Sequence, residues 1–111
     1  MSKLSVIINT LNEEKNLPRA IASVIKIASE IVVVDMKSDD KTQEIAKSLG
    51  AKVYEHERTN YVEPARNYAL SKATGDWILV LDADEEASDA LRGKIKEIVN
   101  SPSSADYYYI P

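Results

Sequence analysis

The stretch Asp82-Ala83-Asp84 has the residue types and spacing most suited to chemistry in this chain. It comes directly after an apolar run at residues 78–81. If the backbone stays extended, both carboxylates face one site while Ala83 faces the other side. Carboxylate oxygens suit Mg²⁺ or Mn²⁺, and two of them leave room for water and phosphate oxygens. A solvated acidic turn is the competing interpretation of the triplet alone, but its place after a predicted buried strand favours a metal site.

Two further polar groups stand at the ends of predicted strands. The first group is Thr10, Asn12, Glu13 and Glu14, and the second is Asp35, Ser38, Asp39 and Asp40. In open parallel sheets, ligands bind beyond the carboxyl ends of the strands, so these groups are expected to gather at one edge with Asp82 and Asp84. Crowded carboxylates repel one another and raise some of their own pKa values, and a divalent cation would relieve that repulsion.

An alternation of strand and helix patterns must position these residues. Strands are predicted at residues 4–8, 31–34, 52–55, 77–81 and 107–110. Four helices are predicted. The first carries the apolar residues Leu17, Ile21, Val24, Ile25 and Ala28, with Asn16 as a cap, and the next two cover residues 41–49 and 64–73. The fourth carries Leu91, Ile95, Ile98 and Val99, with Ser88 as a cap. This order predicts an α/β fold, a Rossmann-like parallel sheet with helices on both faces, built as a single domain over residues 1–111.

Composition narrows the functional classes. The 14 basic and 18 acidic residues give a net charge of −4, which argues against nucleic acid as a partner. Cysteine is absent, so disulfides and thiolate metal sites are excluded. The longest apolar runs are far too short to span a bilayer. The expected setting is cytoplasmic, with peripheral association at the inner face of the cell membrane left open.

Four segments carry a family resemblance: SVIINTLNEEKNLPRAIASV, EIVVVDMKSDDKTQEIA, EPARNYALSKATGDWILVLDADE and YYYIP. Together they resemble the N-terminal part of glycosyltransferase family 2, which has the GT-A fold, and most of all its lipopolysaccharide-core glucosyltransferase subgroup. The resemblance implies that residues 1–111 are the nucleotide-sugar-binding half of a longer catalytic domain. Leu11 departs from the aromatic residue common in the family, and Met36 and Lys37 replace a common Asp-Gly pair.

The resemblance also implies roles for individual residues. Thr10, Asn12 and Glu13 would lie against the nucleotide base and ribose, and Asp35 would contact the base. Arg66 would contact the donor nucleotide. Asp82 would lie near the ribose, and Asp84, with Asp82, would hold the metal. The implied cofactor is Mg²⁺ or Mn²⁺. For Glu13 the alternative is a favourable interaction with the dipole of the following helix.

The implied reaction is inverting sugar transfer from a nucleotide-diphosphate sugar, with UDP as the expected nucleotide, to an acceptor hydroxyl. The acceptor would be a glycan or a lipid-linked saccharide. No catalytic residue is identified, and the general base is expected beyond Pro111. The chain is therefore expected to bind the donor without efficient turnover. Self-association through the sheet edge at residues 107–109 is a further expectation.

Two interpretations from other classes compete with this one. A phosphoacceptor receiver domain needs its phosphorylated aspartate after the third strand, where this chain has Glu55-His56. A nucleotidyltransferase needs a glycine-rich loop after the first strand, and none is present. A non-enzymatic nucleotide-binding or metal-binding module also stays open. His56 is expected to be a solvated loop residue and Trp77 a packing residue.

Overall fold

The computed structural model describes residues 3–58, 63–99 and 108–109. In chain order the elements are β1 (Leu4–Thr10), α1 (Leu17–Val24), β2 (Glu30–Asp35), α2 (Thr42–Ser48), β3 (Lys52–Glu55), α3 (Glu63–Lys72), β4 (Trp77–Val80), α4 (Asp89–Val99) and β5 (Tyr108–Tyr109). The predicted alternation is confirmed. The side chains at residues 98–99 and 107–110 lie outside the part of the chain that the structure describes. The inward positions of Ile98 and Val99 and the self-association through the sheet edge therefore stay predictions.

The first helix is shorter than predicted. It ends at Val24, and Ile25, which was expected to face inward, is 48% exposed. The buried stripe of α1 runs along Leu17, Ile21 and Val24, and Ile25 lies beyond its edge. Asn16 is the N-cap residue of α1 as predicted, but it makes no side-chain capping hydrogen bond, and its amide donates instead to the Glu13 carboxylate at 3.1 Å.

All five strands are parallel, in the order β3-β2-β1-β4-β5. The predicted fold class is confirmed. In this register Thr10 at the end of β1 pairs with Asp35 at the end of β2. Because the strands are parallel, their carboxyl ends meet at one side of the sheet, here called the carboxyl edge, and their starts meet at the opposite amino edge. The continuous apolar runs of β1 and β2 arise because both faces of these central strands are covered.

Helices cover both faces of the sheet. On one face, Leu17 and Ile21 of α1 pack in a cluster with Ile95 of α4 and with Trp77, which is 4% exposed as the packing prediction required. On the other face, α3 lies against Ile7, Val32, Val34 and Val80 through its buried residues Ala65 and Ala69. Small side chains let α3 approach the sheet closely. Among the described residues, no helix has the length and apolarity needed to cross a bilayer.

A buried carboxylate ties the strands together at the amino edge. The Glu30 side chain is only 8% exposed and accepts hydrogen bonds from the Ser5 hydroxyl, from Lys52 Nζ at 2.8 Å and from the Thr74 backbone N–H at 2.6 Å. Burial raises the pKa of Glu30, but these hydrogen bonds outweigh it and lower the pKa from 4.5 to about 2. The ionised side chain thus joins the starts of three strands to the turn before β4.

Gly75 lies in that turn, and we predict that it cannot be replaced without a loss of stability. A Cβ atom at Gly75 would lie 2.8 Å from the Ser5 backbone nitrogen and 2.9 Å from the Lys3 carbonyl oxygen, neither of which can swing aside. We expect Gly75→Ala to lower the free energy of unfolding by about 1–3 kcal/mol, measured by urea denaturation. The matched control is Gly93→Ala in α4, where nothing lies within 4 Å. That change should raise the same quantity by roughly 0.5–1 kcal/mol. Equal urea midpoints for Gly75→Ala and the unmodified chain would refute the packing argument.

Candidate functional site

A buried carboxylate also organises the carboxyl edge. Asp35 is fully buried and accepts hydrogen bonds from the Thr10 hydroxyl at 2.6 Å, from the backbone N–H and hydroxyl of Ser38 at 2.7 and 2.6 Å, and from Gln43 Nε2 at 2.8 Å. These donors come from β1, from the loop after β2 and from α2. Asp35 therefore fixes three elements relative to one another at the edge where ligands are expected.

The surroundings of Asp35 constrain its predicted contact with the base. Both of its oxygens already accept hydrogen bonds from protein donors, so a base could reach Asp35 only by replacing one of them. The contact stays a prediction. Gln43 was not singled out from the sequence, because glutamine on a helix is usually a solvated residue. Here it bridges Asp35 and Glu55, with 3.1 Å from its Nε2 to Glu55 Oε1.

Two loops at this edge are hydrogen-bonded to each other. They are the β1–α1 loop, residues 11–16, and the β2–α2 loop, residues 36–41. The backbone N–H of Asn12 donates to the Ser38 hydroxyl at 2.7 Å, and the Asn12 side chain accepts from the Asp39 backbone N–H at 2.7 Å. The Glu13 backbone N–H donates to Thr42 Oγ1 at 2.9 Å. The predicted residues are thus brought together at the carboxyl edge, with Asn12 and Glu13 in the joined loops and the buried Thr10 and Asp35 beneath them. The two joined loops with these residues are here called the loop platform.

The predicted metal residues lie in a tight turn after β4. The Glu85 backbone N–H donates to the Asp82 carbonyl oxygen at 2.9 Å, so the predicted extended backbone is wrong. Ala83 is 2% exposed and packs in the core beneath the turn, which bends the chain inward at that residue. Asp82 and Asp84 are both exposed. Both side chains thus lie on the solvent side of the buried Ala83, and the expectation that their carboxylates face one site stays a prediction.

Glu85 adds a third carboxylate to this turn. It accepts a hydrogen bond from the Asp82 backbone N–H at 3.0 Å. Burial raises the pKa of Glu85, and the negative charges of Asp82 and Asp84 raise it further. The expected effect of crowded carboxylates is thus confirmed at this residue.

The two exposed carboxylates of the turn fit a cation that takes its remaining ligands from outside the protein. Across residues 3–58 and 63–99, no three acidic, histidine or cysteine side chains form a ready metal site. Asp82 and Asp84 would supply only part of the coordination sphere, and water and phosphate oxygens would supply the rest. That arrangement is the one Mg²⁺ favours in nucleotide sites.

Arg66 and His56 lie on elements that meet the carboxyl edge. Arg66 is half-buried near the start of α3, beside the buried Ala65. His56 follows β3, and its backbone N–H donates to the Asp35 carbonyl oxygen at 2.8 Å. His56 lies in a loop as expected, but it is only partly solvated, because its ring is half-buried and lies 5.5 Å from the Tyr68 ring. A cavity of about 530 Å³ lies elsewhere, between α1 and α4, and none of the predicted site residues lines it.

Comparisons with known proteins agree on one family. The family described as Glycosyl transferase family 2 matches residues 5–106. An uncharacterised glycosyltransferase of Rickettsia typhi is 44% identical over 107 residues, which cover 96% of this chain and 36% of that protein. The structure of S. aureus TarS, residues 1–349, is similar with a TM-score of 0.75 and 30% identity, covering 86% of this chain and 31% of that one.

A second solved structure contains ligands. It is glucosyl-3-phosphoglycerate synthase from Mycobacterium tuberculosis in complex with Mn²⁺, UDP and glucosyl-3-phosphoglycerate. It is 25% identical with a TM-score of 0.66, covering 77% of this chain and 36% of that one. This chain thus spans about a third of the length of these similar proteins.

The electrostatics of the Asp82–Asp84 turn can be tested without any ligand. Because the charge of Asp84 raises the pKa of Glu85, we expect Asp84→Asn to lower that pKa. NMR titration of the Glu85 side-chain carboxyl carbon measures it. Glu97→Gln, which removes an equal charge from an exposed position on α4, is the matched control and should leave the Glu85 titration unchanged. A Glu85 pKa that does not respond to Asp84→Asn would show that these carboxylates do not interact.

Proposed function

This chain belongs to glycosyltransferase family 2, and from that membership we propose that it forms the donor-nucleotide half of a metal-dependent glycosyltransferase. The observation that carries the proposal is the carboxyl edge, where the loop platform and the exposed Asp82–Asp84 turn follow neighbouring strands. Family membership removes the receiver-domain and nucleotidyltransferase interpretations.

The proposed ligand is a nucleotide-diphosphate sugar, with UDP as the nucleotide. The similar synthase structure with UDP and Mn²⁺ supports both the nucleotide and a divalent cation. We propose that Thr10, Asn12 and Glu13 shape the surface toward the base and ribose. Asp35 would hold that surface rigid beneath the base, or contact the base where a bound ligand replaces one of its donors.

The diphosphate would bind at the turn and near the start of α3. Asp84 and Asp82 would hold Mg²⁺ or Mn²⁺, which when bound neutralises charge on the diphosphate leaving group. Asp82 also lies toward the ribose in this proposal. Arg66 would donate hydrogen bonds to the donor nucleotide, a role suited to a guanidinium because it keeps its charge and presents a fork of donors.

The proposed reaction is displacement at the anomeric carbon. An acceptor hydroxyl of a glycan or lipid-linked saccharide forms the new bond, the bond to the diphosphate breaks, and a base removes the hydroxyl proton. We assign no residue of this chain as that base. Glu85 already accepts a hydrogen bond from the Asp82 backbone N–H, which fits a role in shaping the turn. The 111-residue chain is therefore expected to bind the donor without efficient turnover.

Calorimetric titration of UDP tests the proposal. We expect binding in Mn²⁺, and a loss of affinity of at least about tenfold with a chelator or with Asp84→Ala, because a cation ligand is removed in each case. Glu97→Ala changes the net charge equally at an exposed helix position and should bind UDP normally.

Two other outcomes of the titration are informative. UDP affinity that is indifferent to both Mn²⁺ and Asp84→Ala would contradict the metal-assisted site. Binding of GDP in place of UDP would keep the site but correct the nucleotide.

A further inference from the structure

Arg58 reaches from the end of β3 back to the β2–α2 loop. Its Nε donates to the Met36 carbonyl oxygen at 3.1 Å, and its Nη2 donates to the Lys37 carbonyl oxygen at 2.9 Å and to Asp39 Oδ2 at 2.8 Å. The side chains of Arg58 and Asp39 are 47% and 81% exposed, so the ion pair alone contributes little. The two bonds to successive main-chain carbonyls are the distinctive feature, because they fix the backbone of the loop.

The backbone held in this way has an unfavourable conformation. Lys37 has φ = +55°, in the left-handed region that glycine and asparagine tolerate and other residues seldom adopt. The carbonyl groups bound by Arg58 belong to Lys37 itself and to the residue before it. A planar guanidinium can donate to both at once, which a lysine ammonium cannot do with the same geometry.

The strained residue lies next to the contacts that join the two loops. Ser38 bonds both Asp35 and the Asn12 backbone, and Asp39 donates its backbone N–H to the Asn12 side chain. If Lys37 relaxed to a right-handed conformation, Ser38 and Asp39 would be displaced from these partners. The loop platform therefore depends on the conformation at Lys37.

We propose that Arg58 is a positioning residue for the donor nucleotide, acting by holding Lys37 in its left-handed conformation so that the two loops of the platform stay joined. The inference rests on the proposed function of the carboxyl edge. It assigns Arg58 no contact with the ligand.

A double-variant series tests this mechanism by UDP titration in Mn²⁺. Arg58→Ala and Arg58→Lys should each weaken UDP binding by about tenfold, since neither keeps the forked bonds to the carbonyls. Adding Lys37→Gly to Arg58→Ala should restore most of the affinity, because glycine adopts positive φ without strain. Adding Lys37→Ala should not, since alanine removes the amine but keeps the strain. Arg19→Ala controls for the lost positive charge and should leave the affinity unchanged. The Arg19 side chain is 58% exposed, and its ion pair with Glu86 is long, at 3.9 Å.

A second measurement needs no nucleotide. Amide hydrogen exchange at Asn12 and Asp39, followed by NMR, should be faster in Arg58→Ala and slow again when Lys37→Gly is added, because both amides bond across the two loops. Faster exchange with glycine rescue in a chain that binds neither UDP nor GDP would support the role of Arg58 in joining the two loops and contradict the proposed function. Unchanged exchange in Arg58→Ala, or lost affinity that glycine does not rescue, would overturn the positioning role.

Discussion

The carboxyl edge depends on one interaction, the satisfaction of the buried Asp35 carboxylate. A buried charge is costly unless donors surround it, and removing one donor leaves it uncompensated. Here the donors are Thr10, Ser38 and Gln43, each from a different element. The chain therefore folds with β1, the β2–α2 loop and α2 in a fixed relation. The loop platform that we propose for the nucleotide is a consequence of that requirement.

Acidic residues serve two separate purposes in this protein. Glu30 and Asp35 stand at the two ends of β2, and each is surrounded by donors that tie neighbouring elements together. Asp82 and Asp84 are exposed instead, and their charges add to the effect of burial in raising the pKa of Glu85. Carboxylates satisfied by the protein stabilise the fold, whereas carboxylates that repel one another favour a cation. This division supports our proposal of a metal at the turn after β4, whereas the carboxylate at the amino edge joins structural elements.

The sequence predicted the elements, the parallel sheet and the grouping of polar residues at one edge, because hydrophobic periodicity and strand order determine them. It did not predict features set by contacts between distant segments. The bend at Asp82 follows from burial of Ala83, the packing of His56 follows from its contact with Tyr68, and the hydrogen bonds of Arg58 depend on where β3 ends. Periodicity also placed Ile25 in the core, because position alone does not show where a helix's buried stripe stops.

The most direct test of the account is paramagnetic broadening of backbone amide signals by Mn²⁺ in the presence of UDP. Broadening should be strongest around Asp82 and Asp84 and extend to Asn12 and Ser38 of the loop platform. Signals of Lys26 and Lys96, which line the cavity between α1 and α4, should persist. Broadening centred on that cavity or on Glu30 at the amino edge, with the Asp82–Asp84 turn unaffected, would contradict the claim that the carboxyl edge is the site of the nucleotide and its metal.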